Sequence, residues 1–378
     1  MQLSNLWIVL EDQMIYGDLI LNNNLIEAII PKPYMGQTPN HYVVPGFIDL
    51  HIHGANGYDA MDTEPKAIES FALSLVQEGT TGFLPTTMTQ TLENITSALS
   101  NISTYMNTQN PNAAQVLGIH LEGPFIHENA AGAQPKNCII RPNTTTFKIL
   151  EKASNFQIKK ISMAPDFDES LVLMDYLKQQ NIVISIAHTK ADYPHILKAI
   201  QHGASSLTHM YNAMTPLHHR DIGVVGAALL HDELNAELIF DKIHVSVPAA
   251  KLLLKNKGIS GITLITDSMR AKYLDEGIYD LGGQSVHINQ GEARLADGTL
   301  AGSILKMNDG YKHLVKDLGL SRIEASIISS LNPAKQLGLD KELGSISKHK
   351  KANLVIMDEQ FNVIQTIIEG KIVYGVSL

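Results

Sequence analysis

The chain has 378 residues, of which 44% are hydrophobic and 18% charged, a composition typical of a globular protein with a sizeable core. Its formal net charge of −9 argues against nucleic-acid binding, which requires a concentrated positive surface. The single cysteine, Cys138, excludes an intramolecular disulfide, and the sequence shows neither a basic leader nor an apolar run of about 20 residues. These features predict a cytoplasmic protein that is not embedded in a membrane.

The two ends of the chain are rich in short β-strand patterns. Residues 5–30 form brief alternating segments broken by turns, and the residues from Asn353 onward repeat this pattern. Neither end alone supplies enough strands for a stable sheet, so we expect both ends to pair in one small β-sandwich. The expected boundaries are 1–44 and 344–378 for the two parts of the sandwich, with a larger domain at 45–343 between them.

The central part alternates between apolar β-rich runs and segments with helical periodicity. Segments such as 65–79 and 191–203 space their apolar residues at three and four positions and end in glycine, as helices do. This alternation predicts a parallel sheet, and eight strands predict a closed (β/α)₈ TIM barrel of the α/β class. The competing open, doubly wound sheet normally carries a glycine-rich dinucleotide loop, which is missing here. The eight runs are 46–53, 81–87, 115–123, 159–165, 182–188, 205–213, 235–241 and 261–267.

Residues of the types that bind metal ions recur at the ends of these predicted strands. Barrel enzymes place their chemistry at the carboxyl ends of the strands, where side chains far apart in sequence meet. The sequence has sixteen histidines, and several of them fall at such positions. We therefore predict one metal centre at this end of the barrel, with His209 late in the sixth strand. Its candidate ligands are His51, His53, Glu122, His188, His209 and Asp267.

Spacing and residue type support this assignment more strongly for some ligands than for others. His51 and His53 are two apart in a strand, so both point to the same face and can share one ion, although a structural histidine pair is the alternative. Glu122 precedes Gly123 and Pro124, which end the strand, and its carboxylate can bridge two divalent ions. His120 should lie deeper on the same face, where we assign it a packing or supporting role. Asp267 ends a fully apolar strand, an expensive position for a carboxylate without a metal or a proton to handle.

A metal centre of this kind suits the hydrolysis of an amide. A bound divalent ion lowers the pKa of water to about 7 and polarises a carbonyl group, and Asp267 can accept a proton from that water and pass it to the departing amine. The loop after the sixth strand carries Asn212, the backbone N–H of Ala213 and Arg220, a suitable set for an anionic group. His244 lies in the loop after the seventh strand. A surface salt bridge is the alternative role for Arg220.

Several motifs, read together, resemble those of the amidohydrolase superfamily and, within it, the N-acetylglucosamine-6-phosphate deacetylase family. The resemblance covers almost the whole chain and continues through residues 332–339 and 344–358. The HLEGP and THxxNAM patterns are specific to this family, whereas GFIDxHxH is shared by many relatives. The motifs are PGFIDLHIHG, GTTGFLPTT, GIHLEGPF, LTHMYNAM, TDSMRA and LADGTLAGS.

The resemblance implies hydrolysis of N-acetylglucosamine 6-phosphate to glucosamine 6-phosphate and acetate by a cytoplasmic homodimer. It implies Asp267 as the catalytic residue and Glu122, His188 and His209 as the principal metal site. Because His51 and His53 are retained, a second metal is favoured, and the same ligands accept zinc, iron or manganese. Gln134 stands where many members have His, and its amide can still donate to the acetyl carbonyl. The implied substrate contacts are Ala133, Gln134, Asn212, Ala213, Arg220, His244, Leu300, Ala301 and Gly302.

Three other readings remain open on the sequence. One is a cyclic-amide hydrolase, although such relatives bridge their metals with a carboxylated lysine at the end of the fourth strand, where this chain has SMAPD. Another is a deacetylase for a non-phosphorylated N-acyl substrate. The third is an inactive relative that serves as a binding or scaffold protein, which the six retained candidate ligands argue against.

Overall fold

The computed structural model describes residues 1–36 and 40–375. In the first part of the chain the strands are β1 (Gln2–Val9), β2 (Met14–Asn22), β3 (Leu25–Pro31), β4 (Tyr42–Pro45), β5 (Phe47–Ile52), β6 (Gly54–Ala55), β7 (Tyr58–Asp59), β8 (Thr80–Thr87), β9 (Gln115–Val116), β10 (Ile119–Glu122) and β11 (Ile158–Met163). The remaining strands are β12 (Val183–Ile186), β13 (Ala204–Leu207), β14 (Asn235–Ile239), β15 (Ile262–Ile265), β16 (Gly277–Leu281), β17 (Gln284–Asn289), β18 (Glu292–Arg294), β19 (Leu354–Met357), β20 (Val363–Ile368) and β21 (Lys371–Tyr374).

The helices lie mostly between the strands of the central part. They are α1 (Ala67–Leu75), α2 (Leu92–Met106), α3 (Thr144–Ala153), α4 (Asp168–Gln179), α5 (Tyr193–Gln201), α6 (Gly223–Leu230), α7 (Val247–Lys257), α8 (Met307–Lys316), α9 (Arg322–Ser326) and α10 (Asn332–Gln336). A π-helical segment, Ile327–Leu331, joins α9 to α10. Within the described ranges, no helix has both the length and the apolar character needed to cross a lipid bilayer.

Eight parallel strands form the predicted barrel, in the order β5, β8, β10, β11, β12, β13, β14 and β15. The barrel closes just beyond β15, where the Asp267 N–H donates to the His51 carbonyl at 2.8 Å and the His53 N–H donates to the Ser268 carbonyl at 2.9 Å. The buried Asp49 side chain reinforces this seam, because its carboxylate accepts a 2.5 Å hydrogen bond from the Thr266 hydroxyl. The prediction of a (β/α)₈ barrel is confirmed, and the closing bonds involve three candidate metal ligands.

The helices between the strands begin and end where the local sequence directs them. In α5, for example, the Asp192 side chain caps the first turn by accepting from the His195 N–H at 3.1 Å, and Pro194 occupies an early position that lacks a partner for its nitrogen in any case. The helix buries Ile196 and Ala199 against the barrel. Gly203 follows with a φ of 102°, a conformation that favours glycine, and returns the chain to β13.

The two chain ends combine in one seven-stranded sheet, in the order β21, β20, β19, β4, β1, β2, β3. The junction is the antiparallel pairing of β19 with β4, in which Leu354 lies opposite Pro45. The sheet has its own hydrophobic cluster, in which Leu6 and Leu19 of the first end pack with Leu354 and Ile367 of the last. Both ends thus pair with each other, as predicted, and the structure shows them as one seven-stranded sheet where a small β-sandwich was expected. We propose the boundaries 1–44, 45–343 and 344–378 for these parts.

One predicted strand is shorter than expected, and the difference affects the site. The run 205–213 was expected to be a strand throughout, but β13 ends at Leu207 and residues 208–213 form turns. His209 therefore lies two residues past the strand rather than late in it, which corrects the prediction. Alternation of apolar residues does not separate a strand from the turn that follows when that turn is also buried, as Thr208 and Met210 are.

Candidate metal centre and active site

The six candidate ligands meet at the carboxyl end of the barrel, where they form two adjoining groups. In the first group, the Nε2 atoms of His51 and His53 lie 3.4 and 3.3 Å from Asp267 Oδ1. In the second group, Glu122 Oε1 lies 3.3 Å from His188 Nε2 and 3.4 Å from His209 Nε2. The other carboxylate oxygen of Glu122 faces the first group, at 3.2 Å from His53 Nε2. Glu122 therefore stands between two sets of ligand atoms, each of which contains two imidazoles and at least one carboxylate.

Three of these ligands have an unusual backbone at equivalent places in the barrel. His188, His209 and Asp267 each lie two residues beyond the end of a strand, and their φ angles are 44°, 35° and 50°. Side-chain-bearing residues rarely adopt this left-handed conformation, which costs on the order of 1–3 kcal/mol per residue. The conformation turns each side chain back over the barrel mouth. Strain that recurs at three neighbouring strand ends indicates that this arrangement is required by the site.

The hydrogen bonds on the far side of the histidines determine which ring nitrogen faces the centre. Nδ1 of His53 lies 3.0 Å from the Thr86 carbonyl, and Nδ1 of His188 lies 2.9 Å from the Ala130 carbonyl. Because a carbonyl only accepts, each Nδ1 carries the hydrogen, and a neutral ring then presents the lone pair of Nε2 to the centre.

The Nε2 atoms of neighbouring histidines lie close together at the centre. The Nε2 atoms of His188 and His209 are 3.1 Å apart, and those of His51 and His53 are 3.4 Å apart. Nitrogen and carboxylate atoms packed this closely around one point suit a cation placed among them. Imidazole and carboxylate donors are also the ligands that divalent transition metals accept. The donor set therefore fits a divalent metal, which is the cofactor that the fold and these ligands imply.

The electrostatics of the centre also favour positive charge. Burial alone would lower the pKa of His53, but the carboxylates of Asp267 and Glu122 outweigh it and raise this pKa to about 10. Burial likewise acts to raise the pKa of Glu122, whereas His51, followed by His188 and His209, holds it well below its ordinary value. Both shifts indicate that ionised carboxylates and positive charge stabilise each other at this buried centre.

Gln134 lies beside the metal ligands, and its amide is engaged on both sides. Its Nε2 donates to Glu122 Oε2 at 2.7 Å, and its Oε1 accepts from the Thr89 N–H at 2.8 Å. The side chain is almost fully buried. Gln134 therefore fixes the orientation of the carboxylate that stands between the two ligand groups, a role that the sequence did not reveal.

A cavity of about 480 Å³ opens above the ligands and contains most of the predicted substrate contacts. Its wall includes His53, Glu122, His188, His209 and Asp267 on the metal side. His51 lies behind these residues and is fully buried. The predicted substrate contacts that line the cavity are Ala133, Gln134, Asn212, Ala213, His244, Leu300 and Gly302.

Two predicted contacts lie elsewhere. Ala301 is fully buried below the cavity wall, and its backbone N–H donates to the Ala293 carbonyl at 3.0 Å. Arg220 is exposed in the loop after β13, and one of its guanidinium nitrogens lies 2.6 Å from His219 Nε2. Arg220 is not one of the described residues that line the cavity.

His244, by contrast, is held firmly at the cavity wall. Its Nδ1 lies 2.7 Å from Asp241 Oδ2, and its backbone N–H donates to the other oxygen of that carboxylate at 2.8 Å. Burial acts to raise the pKa of Asp241, but the bond to His244 and its charge lower it overall. The pair fixes the imidazole with Nδ1 turned away from the cavity, so Nε2 is the nitrogen available to a ligand.

The cavity also contains residues that the sequence did not single out. Met88 and Leu281 supply apolar surface, and Lys190 and Arg294 supply positive charge. Arg294 is engaged by Glu292, with Nε 2.6 Å from the carboxylate. Lys190 lies two residues after His188 in the loop between β12 and α5, and this proximity to a predicted ligand was the signal in the sequence that could have identified it.

A parallel-stranded barrel with two histidine and carboxylate groups at its mouth defines a metal-dependent hydrolase of the barrel type. The comparisons with known proteins narrow this class: residues 42–373 match the Amidohydrolase family. The chain belongs to this family and, within it, to the N-acetylglucosamine-6-phosphate deacetylases, as the following similarities show.

The chain is 43% identical to the N-acetylglucosamine-6-phosphate deacetylase of Bacillus subtilis over 97% of its own length and 95% of that protein. It is 36% identical to an N-acetylgalactosamine-6-phosphate deacetylase of Escherichia coli O157:H7 over 94% of each chain. The structure also superposes on the crystal structure of N-acetylglucosamine-6-phosphate deacetylase from Thermotoga maritima with a TM-score of 0.92, 35% identity and full coverage of both chains.

Proposed function

We propose that this protein hydrolyses the acetamide of N-acetyl-D-glucosamine 6-phosphate to D-glucosamine 6-phosphate and acetate, in amino-sugar catabolism and cell-wall recycling. The observation that carries the proposal is the set of six ligands, five of which line one cavity, with Asp267 among these five, in a chain that resembles such deacetylases from end to end. The chemistry requires a metal-type ligand set and a carboxylate that can move a proton, and both are present at one place.

The cofactor that we propose is zinc, with iron or manganese as alternatives, in one or two ions per chain. The principal site would be Glu122, His188 and His209, and the other site would be His51, His53 and Asp267 of the first ligand group. Two ions are favoured because both groups are complete and Glu122 faces both of them. A divalent cation bound there acts as a Lewis acid on the acetamide carbonyl and lowers the pKa of water.

Asp267 is the proposed general base and general acid. Burial acts to raise its pKa, but His51 and His53 lower it overall, so the carboxylate is ionised and can accept a proton from the attacking water. As the water oxygen bonds to the acetamide carbon and the carbon–nitrogen bond breaks, the same carboxyl group returns that proton to the amine nitrogen. The products are then the amino sugar and acetic acid, which releases the second proton of the water and becomes acetate, and Asp267 is again ionised.

The substrate is oriented by residues around the cavity. We assign Asn212, the Ala213 backbone and His244 Nε2 to the phosphate end, and Leu300, Ala301 and Gly302 to the wall against the sugar, where Ala301 acts through the backbone position of its neighbours. Ala133 and Gln134 belong to the acetyl end. The amide of Gln134 has a second hydrogen beyond the one that Glu122 accepts, and we assign this hydrogen to the acetyl carbonyl.

The position of Arg220 favours an active homodimer. Its guanidinium is exposed and lies outside the cavity of its own chain, as far as the described residues show, whereas the loop that carries it begins at the cavity with Asn212 and Ala213. We propose that Arg220 reaches the phosphate bound in the partner subunit. We also propose that the enzyme acts in the cytoplasm, where phosphorylated sugars occur.

Acetate release, measured with and without phosphate on the sugar, tests this proposal. Purified protein is incubated with N-acetylglucosamine 6-phosphate and with N-acetylglucosamine, and its metal content is determined on the same sample. We expect at least a hundredfold preference for the phosphorylated sugar with one or two metals per chain. Equal rates on both sugars would favour the reading as a deacetylase of non-phosphorylated substrates. No release from either sugar by metal-loaded protein would overturn the deacetylase assignment.

A further inference from the structure

Behind the metal centre lies an ion pair that the proposed reaction does not use. Lys160, on β11, and Glu237, on β14, are both fully buried in the barrel interior, and neither is among the described residues that line the cavity. Lys160 Nζ donates a very short hydrogen bond to Glu237 Oε1, and the two residues are 77 positions apart in sequence. Burying two charges is costly, and a buried ion pair usually stabilises a fold no better than two apolar side chains of similar size. The presence of this pair therefore points to a role other than stability.

The second carboxylate oxygen of Glu237 connects this ion pair to both ligand groups. Glu237 Oε2 lies 3.1 Å from His51 Nδ1 in the first group and accepts a 3.2 Å hydrogen bond from the backbone N–H of His209 in the second. Each oxygen of Glu237 thus has a separate task. Oε1 pairs with Lys160, while Oε2 accepts from the ligands.

These residues do not form a third metal site, although His51, His120 and Glu237 lie close enough to be considered one. Both ring nitrogens of His120 are engaged, Nδ1 with the Leu50 carbonyl at 3.1 Å and Nε2 with the Ser162 hydroxyl at 2.7 Å. The ammonium group of Lys160 already neutralises Glu237 and would repel a metal cation. The cluster is a fixed hydrogen-bond network and not a vacant set of ligands.

We propose that Glu237, held by Lys160, is the positioning residue that makes His51 a metal ligand. Glu237 thereby allows a metal ion to bind at the first site, which we define as His51, His53 and Asp267. Because the carboxylate accepts from Nδ1, the hydrogen of a neutral His51 ring resides there and Nε2 presents its lone pair to the metal. This inference rests on the proposed function, since it concerns the metal ion proposed for the site of His51, His53 and Asp267.

The substitution Glu237→Gln tests the proposal, because an amide has only one oxygen. The buried ammonium of Lys160 can only donate and needs that oxygen as its acceptor. The NH₂ group of the glutamine must then face His51 Nδ1 and the His209 N–H. Nδ1 can meet it only as an acceptor, which moves the ring hydrogen to Nε2 and removes the lone pair that would bind the metal.

The companion variant Lys160→Met/Glu237→Gln separates positioning from a general structural role. Without the lysine, the glutamine can turn its oxygen to His51 and to the His209 N–H, while its NH₂ group faces the Ser206 hydroxyl, which lies 3.4 Å from Lys160 Nζ in the native chain. Metal binding at the first site should therefore recover when a second substitution is added. A purely structural role predicts the reverse, because two substitutions in one buried pair should then harm the fold more than one.

The chain supplies a matched control in Glu78→Gln. Glu78 and Lys272 form another fully buried pair, with Oε1 2.9 Å from Nζ, and among the described residues Glu78 bonds to Thr80, Lys272 and Tyr273 but to no candidate metal ligand. This variant removes the same charge from the same kind of pair. His53→Asn provides the reference for a chain that has lost a first-site ligand.

The measurement is zinc binding to metal-free protein by equilibrium dialysis, with the zinc-to-chain ratio and thermal unfolding determined for each variant. We expect two zinc ions in the native chain, about a 10- to 100-fold weaker first site in Glu237→Gln, and a ratio that matches His53→Asn. The Glu78→Gln control should keep native affinity at both sites. The site of Glu122, His188 and His209 should weaken far less than the first site, because Glu237 contacts only the backbone of His209 there. The double variant should regain most of the lost affinity.

Each other outcome would overturn the inference. Two zinc ions bound with native affinity by Glu237→Gln would show that His51 needs no such partner. Equal weakening of both sites, or further loss in the double variant, would show a structural role only. If the native chain itself binds zinc only at Glu122, His188 and His209, the two-metal proposal fails first, and that result is visible before any variant is examined.

Discussion

The floor and the rim of the cavity are built in different ways. We define the floor as the six candidate ligands His51, His53, Glu122, His188, His209 and Asp267, and the rim as the loops that carry Asn212, Ala213, Arg220, His244 and residues 300–302. Every floor residue is buried, lies within two positions of a strand end, and contacts another floor residue. In the rim, His244 is held by Asp241, whereas Arg220 is exposed and contacts the neighbouring His219.

This difference separates chemistry from specificity. The barrel strands fix the floor, because hydrogen bonds between neighbouring strands determine where each ligand lies. The rim depends on loops whose geometry can change with a bound ligand or with a second subunit. Substitutions in the floor should therefore reduce turnover, whereas substitutions in the rim should alter the preference between substrates.

The largest effect is expected from Asp267→Asn in the floor. The amide has nearly the same shape as the carboxylate but cannot accept the proton of the attacking water, so kcat should fall on the order of a thousandfold while KM changes little. Steady-state acetate release measures both constants. The zinc content of the variant should be determined in parallel, because Asp267 also belongs to the first ligand group. A loss below tenfold with native zinc content would contradict the role of Asp267 as the base.

A smaller effect, confined to phosphorylated substrate, is expected from Arg220→Ala in the rim. A charge-assisted bond between guanidinium and phosphate contributes about 2–3 kcal/mol, so kcat/KM for N-acetylglucosamine 6-phosphate should fall roughly 30- to 150-fold. The rate on the unphosphorylated sugar should remain unchanged. Arg141→Ala serves as the control, because Arg141 is also exposed and stacks on Phe167 outside the cavity. Equal loss on both sugars would show that Arg220 supports the loop and does not contact phosphate.

Gln134→Met tests the point at which floor and rim meet. The methionine fills nearly the same volume but removes the bond to Glu122 Oε2 and leaves the Thr89 N–H without its acceptor. We expect kcat/KM to fall about tenfold, since each lost hydrogen bond is worth about 1 kcal/mol and the carboxylate becomes less well oriented. Gln90→Met is the matched control, because Gln90 bonds to the Gly282 carbonyl away from the ligands. If both variants lose the same activity, Gln134 has no special role at the centre.

The sequence indicated that the floor residues would meet at one end of the barrel because the signals for their positions are local. An apolar run followed by His or a carboxylate marks the end of a buried strand, and the barrel topology then brings these ends together. His209 was placed in a strand because the turn after β13 is as buried as the strand itself. For His209, the alternation of apolar residues therefore predicted the correct end of the barrel but a strand where the structure has a turn.

Contacts between distant strands were beyond the reach of the sequence. Glu237 was unremarkable within NAELIFD, because a single Glu in an apolar strand can also face solvent, and nothing in the sequence linked it to Lys160. Gln134 was predicted to contact substrate, but its bonds to Glu122 and Thr89 depend on how the loop after β10 folds back. Such pairings depend on strand order and register, which periodicity alone does not define.

The smallest expected effect concerns Asp59, a buried carboxylate just outside the floor. The floor carboxylates have several histidines beside them, whereas Asp59 has much weaker compensation of its charge. Burial raises the pKa of Asp59 to about 6, although Arg270 acts to lower it from 3.8 Å away, and Asp59 Oδ2 has no hydrogen-bond partner in the described structure. Because the pKa of Asp59 is higher in the folded chain than in the unfolded chain, protonation of this group stabilises the fold. The contribution is complete at a pH below the unfolded pKa and is lost as the pH rises through about 6. Between pH 5 and pH 7, the native free energy of unfolding should therefore fall by about 1 kcal/mol because of this group.

Asp59→Asn should abolish that fall, since the amide does not titrate and keeps Oδ1 as the acceptor for the Met61 N–H. Urea unfolding of both chains at pH 5 and pH 7 measures the difference, and ligands that titrate in both proteins cancel in the comparison. Asp12→Asn, at an exposed turn, controls for the loss of one charge. If the free energies of unfolding of Asp59→Asn and the native chain differ by the same amount at both pH values, Asp59 does not titrate in this range and Arg270 fully compensates its charge. Buried carboxylates beside the floor would then be as well compensated as those within it.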